Sequence, residues 1–96
     1  MRITVEGYLT YKAALGRRVY DLADQPPPTL QDLLDLLLKE IPDQIPALDF
    51  FSFAGRERRT LALLLNGKHI SHLPEGVNTK LKDGDLLSVF PPIVGG

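Results

Sequence analysis

From Leu30 onward, apolar residues recur as Leu30, Leu33, Leu34, Leu37, Leu38 and Ile41. That three-and-four spacing predicts a helix with one broad apolar face. Thr29 reads as its N-cap, and Asp32 three residues on resembles the reciprocal partner of a capping box, with Asp in place of the usual Glu. Pro42 stops the helix near Ile41, because a proline disfavours helical geometry in the residue before it. So many aliphatic side chains on one face must be covered. No second convincing long helix is present in the sequence, so the cover has to be a sheet.

The rest of the chain supplies strands. From Arg2 to Tyr8, Ile3 and Val5 alternate with Arg2, Thr4 and Glu6, the period of a strand with one wet face. A polar stretch containing Lys12 and Gly16 follows, then a second such segment, Arg18 to Leu22, which predicts a β-hairpin with a longish loop. Three consecutive prolines, Pro26 to Pro28, cannot continue a ladder and force an extended connection. Leu61 to Leu65 is a continuous apolar run, which predicts a strand buried on both faces, and Asn66-Gly67 favours a type I′ hairpin turn. A short return arm, Lys68 to Ser71, a turn-rich stretch from Pro74 to Lys82 and an Asp83-Gly84 turn lead to a last strand, Leu86 to Phe90. Between Pro42 and Thr60, the apolar cluster Leu48, Phe50, Phe51 and Phe53 and the charged turn Gly55 to Arg59 read as a short strand or a core-plugging loop. The order is strand, strand, helix, strand, short strand, strand. It predicts an α+β domain over residues 1–90, a mixed sheet of four to five strands with one main helix packed on one face. This is the β-grasp, ubiquitin-like arrangement, followed by a flexible tail over residues 91–96.

Size and charge narrow the function. Ninety-six residues make one domain and leave no room for a deep cleft walled by the chain itself. A binding module, a carrier or a subunit fits better than a free-standing enzyme. The formal charge of −1 is spread along the chain, with no basic block to suggest nucleic acid or an anionic membrane. Without cysteine, disulfides and thiolate chemistry are excluded. The first residues lack the basic-then-apolar layout of a signal peptide, and no apolar run approaches the roughly 20 residues of a membrane span. A cytoplasmic location is the expectation.

The chemistry is concentrated in the last residues, Phe90-Pro91-Pro92-Ile93-Val94-Gly95-Gly96. Pro91 and Pro92 lack backbone donors, so the last strand must stop at Phe90, and the pair favours a polyproline II segment that projects from the body. Six residues from Pro91 reach roughly 19 Å at about 3.1 Å per residue. Gly95 and Gly96 carry no side chain and can lie in a slot that any Cβ would block. A free carboxylate, anionic at neutral pH, is a poor acyl donor. Activation turns it into an anhydride, ester or thioacid, and a narrow tip suits an active site on another protein that must surround it.

The stretch LLLNGKHISHLPEGVNTKLKDGDLLSVFPPIVGG resembles the C-terminal half of proteins in the MoaD/ThiS ubiquitin-like sulfur-carrier family. It is closest to MoaD, the small subunit of molybdopterin synthase. The shared features are an apolar strand into Asn66-Gly67, the Leu81-Lys82-Asp83-Gly84-Asp85 turn, an apolar strand, then Phe90-Pro91-Pro92 and Gly95-Gly96. The N-terminal half resembles the family more loosely, through the Ala14-Leu15-Gly16 loop and the helix start Thr29-Leu30-Gln31-Asp32-Leu33-Leu34. The resemblance implies that a MoeB-like adenylating enzyme consumes ATP to adenylate Gly96. A sulfurtransferase or other persulfide donor then leaves a Gly96 thiocarboxylate. A MoaE-like large subunit of molybdopterin synthase takes up Phe90, Pro91, Pro92, Ile93, Val94 and Gly95 and supplies the catalytic residues. The chain itself would hold no permanent cofactor. The Leu48–Arg59 segment and the long Pro74-to-Lys82 connection depart from the pattern. The same tail chemistry also suits a ubiquitin-like protein modifier, or a sulfur donor for cysteine, thiamine or tRNA thiolation. A β-grasp interaction module with an unreactive tail is the alternative of a different class.

Other clusters carry less. His69 and His72 stand three apart but flank a turn without a third ligand nearby, and read as surface histidines, so no metal site is expected. Arg56, Arg58 and Arg59 read as a solvated hairpin tip, Lys68, Lys80 and Lys82 as surface charges. Phe50, Phe51 and Phe53 divide between core packing and a partner-facing patch.

Overall fold

The computed structural model describes residues 1–40 and 62–90. The predicted strand or loop between Pro42 and Thr60, with its Phe50, Phe51, Phe53, Arg56, Arg58 and Arg59, lies outside the described residues. So does the tail from Pro91 to Gly96. Strand β1 (Arg2–Gly7) runs antiparallel to β2 (Arg17–Asp21), with Arg2 opposite Asp21 and Glu6 opposite Arg17. The predicted loop between them is more ordered than expected: a 3-10 turn, Leu9–Tyr11, runs into a one-turn helix α1 (Lys12–Leu15). Leu15 explains the difference, since it is buried in the core and the helical turn is what delivers it there. Gly16 reverses the chain at φ 57°, a left-handed value that glycine adopts without penalty.

Helix α2 (Leu30–Glu40) begins on the predicted capping box. The Asp32 backbone N–H donates to the Thr29 hydroxyl at 3.3 Å and the Thr29 N–H donates to the Asp32 carboxylate at 2.8 Å, so two otherwise orphaned helix-end donors are satisfied. Leu30, Leu33, Leu34 and Leu37 are completely buried, each worth roughly 1.5–3 kcal/mol against exposure. Ile41 and the side chain of Leu38 lie outside the description. At the far end, Glu40 accepts from Arg18 at 3.1 Å and from the Tyr20 hydroxyl at 2.8 Å, which fastens the helix to the β2 edge.

After the undescribed segment come β3 (Ala62–Leu65), the short β4 (Lys68–His69) and β5 (Leu86–Phe90). Positive φ at both Asn66 (53°) and Gly67 (85°) is the signature of the expected type I′ turn. The sheet order is β2-β1-β5-β3-β4, with β1 and β5 parallel at its centre and the other pairs antiparallel. The α+β expectation holds: five strands grasp a single long helix among the described residues, in the ubiquitin-like arrangement.

One strand reading needs correction. The apolar run ending at Leu65 is not buried on both faces: Leu63 and Leu65 are buried, whereas Ala62 and Leu64 are only half-buried. The registers give the reason. Leu63 and Leu65 lie opposite Val89 and Leu87, on the face that α2 covers. Ala62 and Leu64 share the other face with Phe90 and Ser88.

Candidate functional site

Strand β5 ends at Phe90, the residue before Pro91-Pro92. Leu87 and Val89 point into the core, so alternation places Leu86, Ser88 and Phe90 on the opposite face, which no helix covers among the described residues; Ser88 is buried there and Leu86 and Phe90 are half-buried. There the Phe90 ring stacks on Tyr8, with centroids 4.4 Å apart and planes 6° from parallel, an arrangement worth about 0.5–1.5 kcal/mol beyond burial. The Tyr8 N–H donates to the Val89 carbonyl at 2.9 Å, extending the β1–β5 ladder by one residue. The last residue before Pro91-Pro92 is therefore held by a strand, a ring stack and a backbone bond.

The turn after β1 closes over this point. A Cβ on Gly7 would come within 2.5 Å of the Tyr11 carbonyl oxygen and 2.7 Å of the Leu15 Cβ, so only glycine lets the turn pack so tightly on the strand end. The Tyr11 N–H donates back to the Tyr8 carbonyl at 3.0 Å and the Gly7 N–H to the Gly16 carbonyl at 2.8 Å. Burial pushes the Tyr11 phenol above its ordinary pKa. Between Tyr8 and Tyr11, Leu9 sits at φ 56° and is 73% exposed.

This face divides into two strips. Along β3 and β5 the face carries Ala62, Leu64, Leu86, Phe90 and, beyond β1, Tyr8, with the buried Ser88 opposite Leu64. Across β1 and β2 the face is polar, with Arg17 donating to Glu6 at 2.7 Å, apart from Val19, which is 56% exposed.

Of the predicted site residues, the structure places Phe90 on this face; Pro91, Pro92, Ile93, Val94, Gly95 and Gly96 lie outside the described residues. His69 and His72 meet edge-on, 6.3 Å between ring centroids, and His69 Nδ1 accepts from the Ser71 N–H at 3.0 Å. Lys68, Lys80 and Lys82 are exposed, and rim a shallow hollow of about 260 Å³ before the start of β5, at the opposite end of that strand from Phe90.

Two features escaped the sequence reading. Tyr8 occupies the wet-face parity of Thr4 and Glu6, so an aromatic in that register was the available signal. Asp85 is buried rather than a turn residue in solvent. Its carboxylate accepts from the Asn66 amide at 2.9 Å and the Lys82 N–H at 2.8 Å, while the Asn66 side-chain oxygen accepts from the Leu86 N–H at 2.9 Å. The β3–β4 turn is thereby locked to the start of β5, which fixes the register of the strand that carries the tail.

Comparison with known proteins now decides the family. The ThiS family model matches residues 14–96. The chain belongs to the ThiS family. Small archaeal modifier protein 3 of Haloferax volcanii is 45% identical over 42 residues, which cover 44% of this ThiS-family chain and 45% of that protein's length. The solution structure of small archaeal modifier protein 1 from Methanosarcina acetivorans is 28% identical, covers 99% of this chain and 96% of its own, and superposes with a TM-score of 0.64. A chain from the complex of subunits 1 and 2 of the Helicobacter pylori molybdopterin-converting factor shares the fold, with a TM-score of 0.60 at 24% identity and full coverage of both chains. The ThiS-family chain thus stands among ubiquitin-like sulfur carriers and modifiers. No helix among the described residues is long and apolar enough to cross a membrane.

Proposed function

We propose that this chain is a sulfur carrier whose Gly96 carboxylate is adenylated and converted to a thiocarboxylate. That group then donates sulfur as part of the small subunit of a molybdopterin synthase. The observation that carries the reading is the anchored root of the tail. Phe90 is clamped by Tyr8 at the end of a central strand, directly before Pro91-Pro92 and Gly95-Gly96, in a chain of the ThiS family. A rigid root and a stiff spacer present a side-chain-free carboxylate to another protein's active site.

The steps follow from acyl chemistry. The Gly96 carboxylate oxygen attacks the α-phosphorus of ATP on a MoeB-like adenylating enzyme, and pyrophosphate leaves. A persulfide sulfur from the donor attacks the resulting carbonyl and AMP departs with its electron pair. A second thiol then breaks the S–S bond, leaving the thiocarboxylate on Gly96 and a disulfide on the donor. A MoaE-like large subunit encloses Phe90 to Gly95; the thiocarboxylate sulfur attacks a carbon of a pterin precursor and displaces an oxygen leaving group, and water then cleaves the Gly96 C–S bond, restoring the carboxylate. ATP is consumed by the activating enzyme; this chain contributes the acyl group and no acid–base residue.

The intact mass of the protein tests this. Incubation with ATP, the cognate activating enzyme and a sulfur source should produce a gain equal to exchange of one oxygen for sulfur at the C-terminus. Added large subunit and precursor should reverse it. An unchanged mass with a competent activating enzyme would contradict the carrier reading.

The similarity to small archaeal modifier proteins favours a second reading, in which the activated Gly96 is passed to a lysine amine of a target protein. A branched peptide carrying this tail on a target lysine would establish it. A thiocarboxylate that is consumed only by sulfur transfer would exclude it.

A further inference from the structure

We propose that Leu9 is a preset apolar anchor that seats in an apolar recess on the enzyme that activates the tail, beside the place where that enzyme takes up the chain after Phe90. The inference rests on the activation reading above and goes beyond it in naming a recognition residue outside the tail.

Two penalties fall on this one side chain. Its backbone is left-handed, at φ 56°, a conformation that a branched residue adopts against its preference. It is also 73% exposed, the highest value for a large apolar side chain among the described residues. Asparagine would relieve both, and Leu9 is absent from the buried core and from the partly buried side chains packed on it. Fold stability therefore gives no reason for leucine here. The conformation is nevertheless firmly imposed. Gly7 admits the turn, the Tyr8 and Tyr11 N–H bonds fix both sides of it, and Leu15 buries the helix that follows. Strain that its surroundings over-determine is the kind that serves recognition.

The location selects the partner. Leu9 follows Tyr8, whose ring stacks on Phe90, and its turn packs against β5. A protein that grips the chain directly after Phe90 has Tyr8 and Leu9 beside the point it grips. An anchor already rigid before association loses little conformational entropy on docking.

Steady-state loading of Gly96 by the activating enzyme, alongside thermal unfolding, tests the proposal. Leu9→Asn should unfold at the same or a higher temperature, raise the KM for the chain roughly tenfold and leave kcat unchanged. Leu9→Met, which keeps an apolar side chain, should retain the wild-type KM. An unchanged KM in Leu9→Asn would overturn the anchor, as would a clear loss of thermal stability, which would make Leu9 structural. Failure of the wild-type chain to be loaded at all would overturn the activation reading, and the anchor with it.

Discussion

The two faces of the sheet use the same strands for opposite ends. Toward α2, Ile3, Val5, Leu63, Leu65, Leu87 and Val89 are buried. On the other face Ser88 is buried, Leu64, Leu86 and Phe90 are half-covered and Val19 is mostly exposed, with the Glu6–Arg17 pair partly in solvent. Strand β5 sends Leu87 and Val89 to the first face and Leu86, Ser88 and Phe90 to the second, where Ser88 is buried and the other two are half-buried. The lesson is a division of labour within a strand: one face of β5 packs the core under α2, while the other holds Phe90, the last described residue before the tail, against Tyr8.

Substitutions can break that division or sharpen it. On the covered face, Leu87→Ala should cost about 2–5 kcal/mol, the transfer and cavity terms together, measured by urea unfolding. A loss below about 1 kcal/mol would mean that the two faces do not differ as described. Asp85 sits where the faces meet the β3–β4 turn. Asp85→Ala removes the acceptor of the Asn66 amide and of the Lys82 N–H, and roughly 1–3 kcal/mol should be lost with these two part-buried hydrogen bonds. A native-like amide exchange rate at Leu86 in this variant would show that the lock is dispensable.

Alkaline pH probes the rim of the covered face. Burial raises the Tyr11 phenol; burial, then the hydrogen bond to Glu40, raises Tyr20. In the folded chain these phenols keep their protons past pH 10, the ordinary tyrosine value, while those of the unfolded chain ionise. Their contribution to stability is therefore complete below about pH 10 and is lost as pH rises through the higher folded values. Tyr20→Phe should make the stability profile flatter in that window; an unaltered slope would remove Tyr20 from the account. The smallest effect belongs to the face away from α2. Glu6→Gln breaks an ion pair that is partly in solvent and should change stability by less than about 1 kcal/mol, with the difference shrinking in high salt.

What could be read from the sequence was whatever is local. Thr29 and Asp32 announce the helix start, the leucine spacing announces its buried face, and Asn66-Gly67 announces the hairpin. Each signal lies within a few residues of its consequence. The stack of Tyr8 on Phe90 and the lock of Asn66 on Asp85 join residues distant in the chain, and nothing near either partner marks the other. The apolar run ending at Leu65 misled for a related reason. Continuous hydrophobicity does not tell the face of a strand that a helix covers from the face that is only half-buried. In the tail, composition was the whole signal: Pro91, Pro92, Gly95 and Gly96 state what the end is suited for, and the stack of Tyr8 on Phe90 adds how the residue before it is held.

The central claim is that the chemistry resides in Gly96 while the folded body only positions and addresses it. Removal of Gly96 alone, followed by both urea unfolding and the sulfur-loading mass assay, tests this most directly. The account predicts an unfolding midpoint equal to wild type and no mass gain. Sulfur incorporated into the truncated chain, or a loss of stability approaching that of Leu87→Ala, would contradict it.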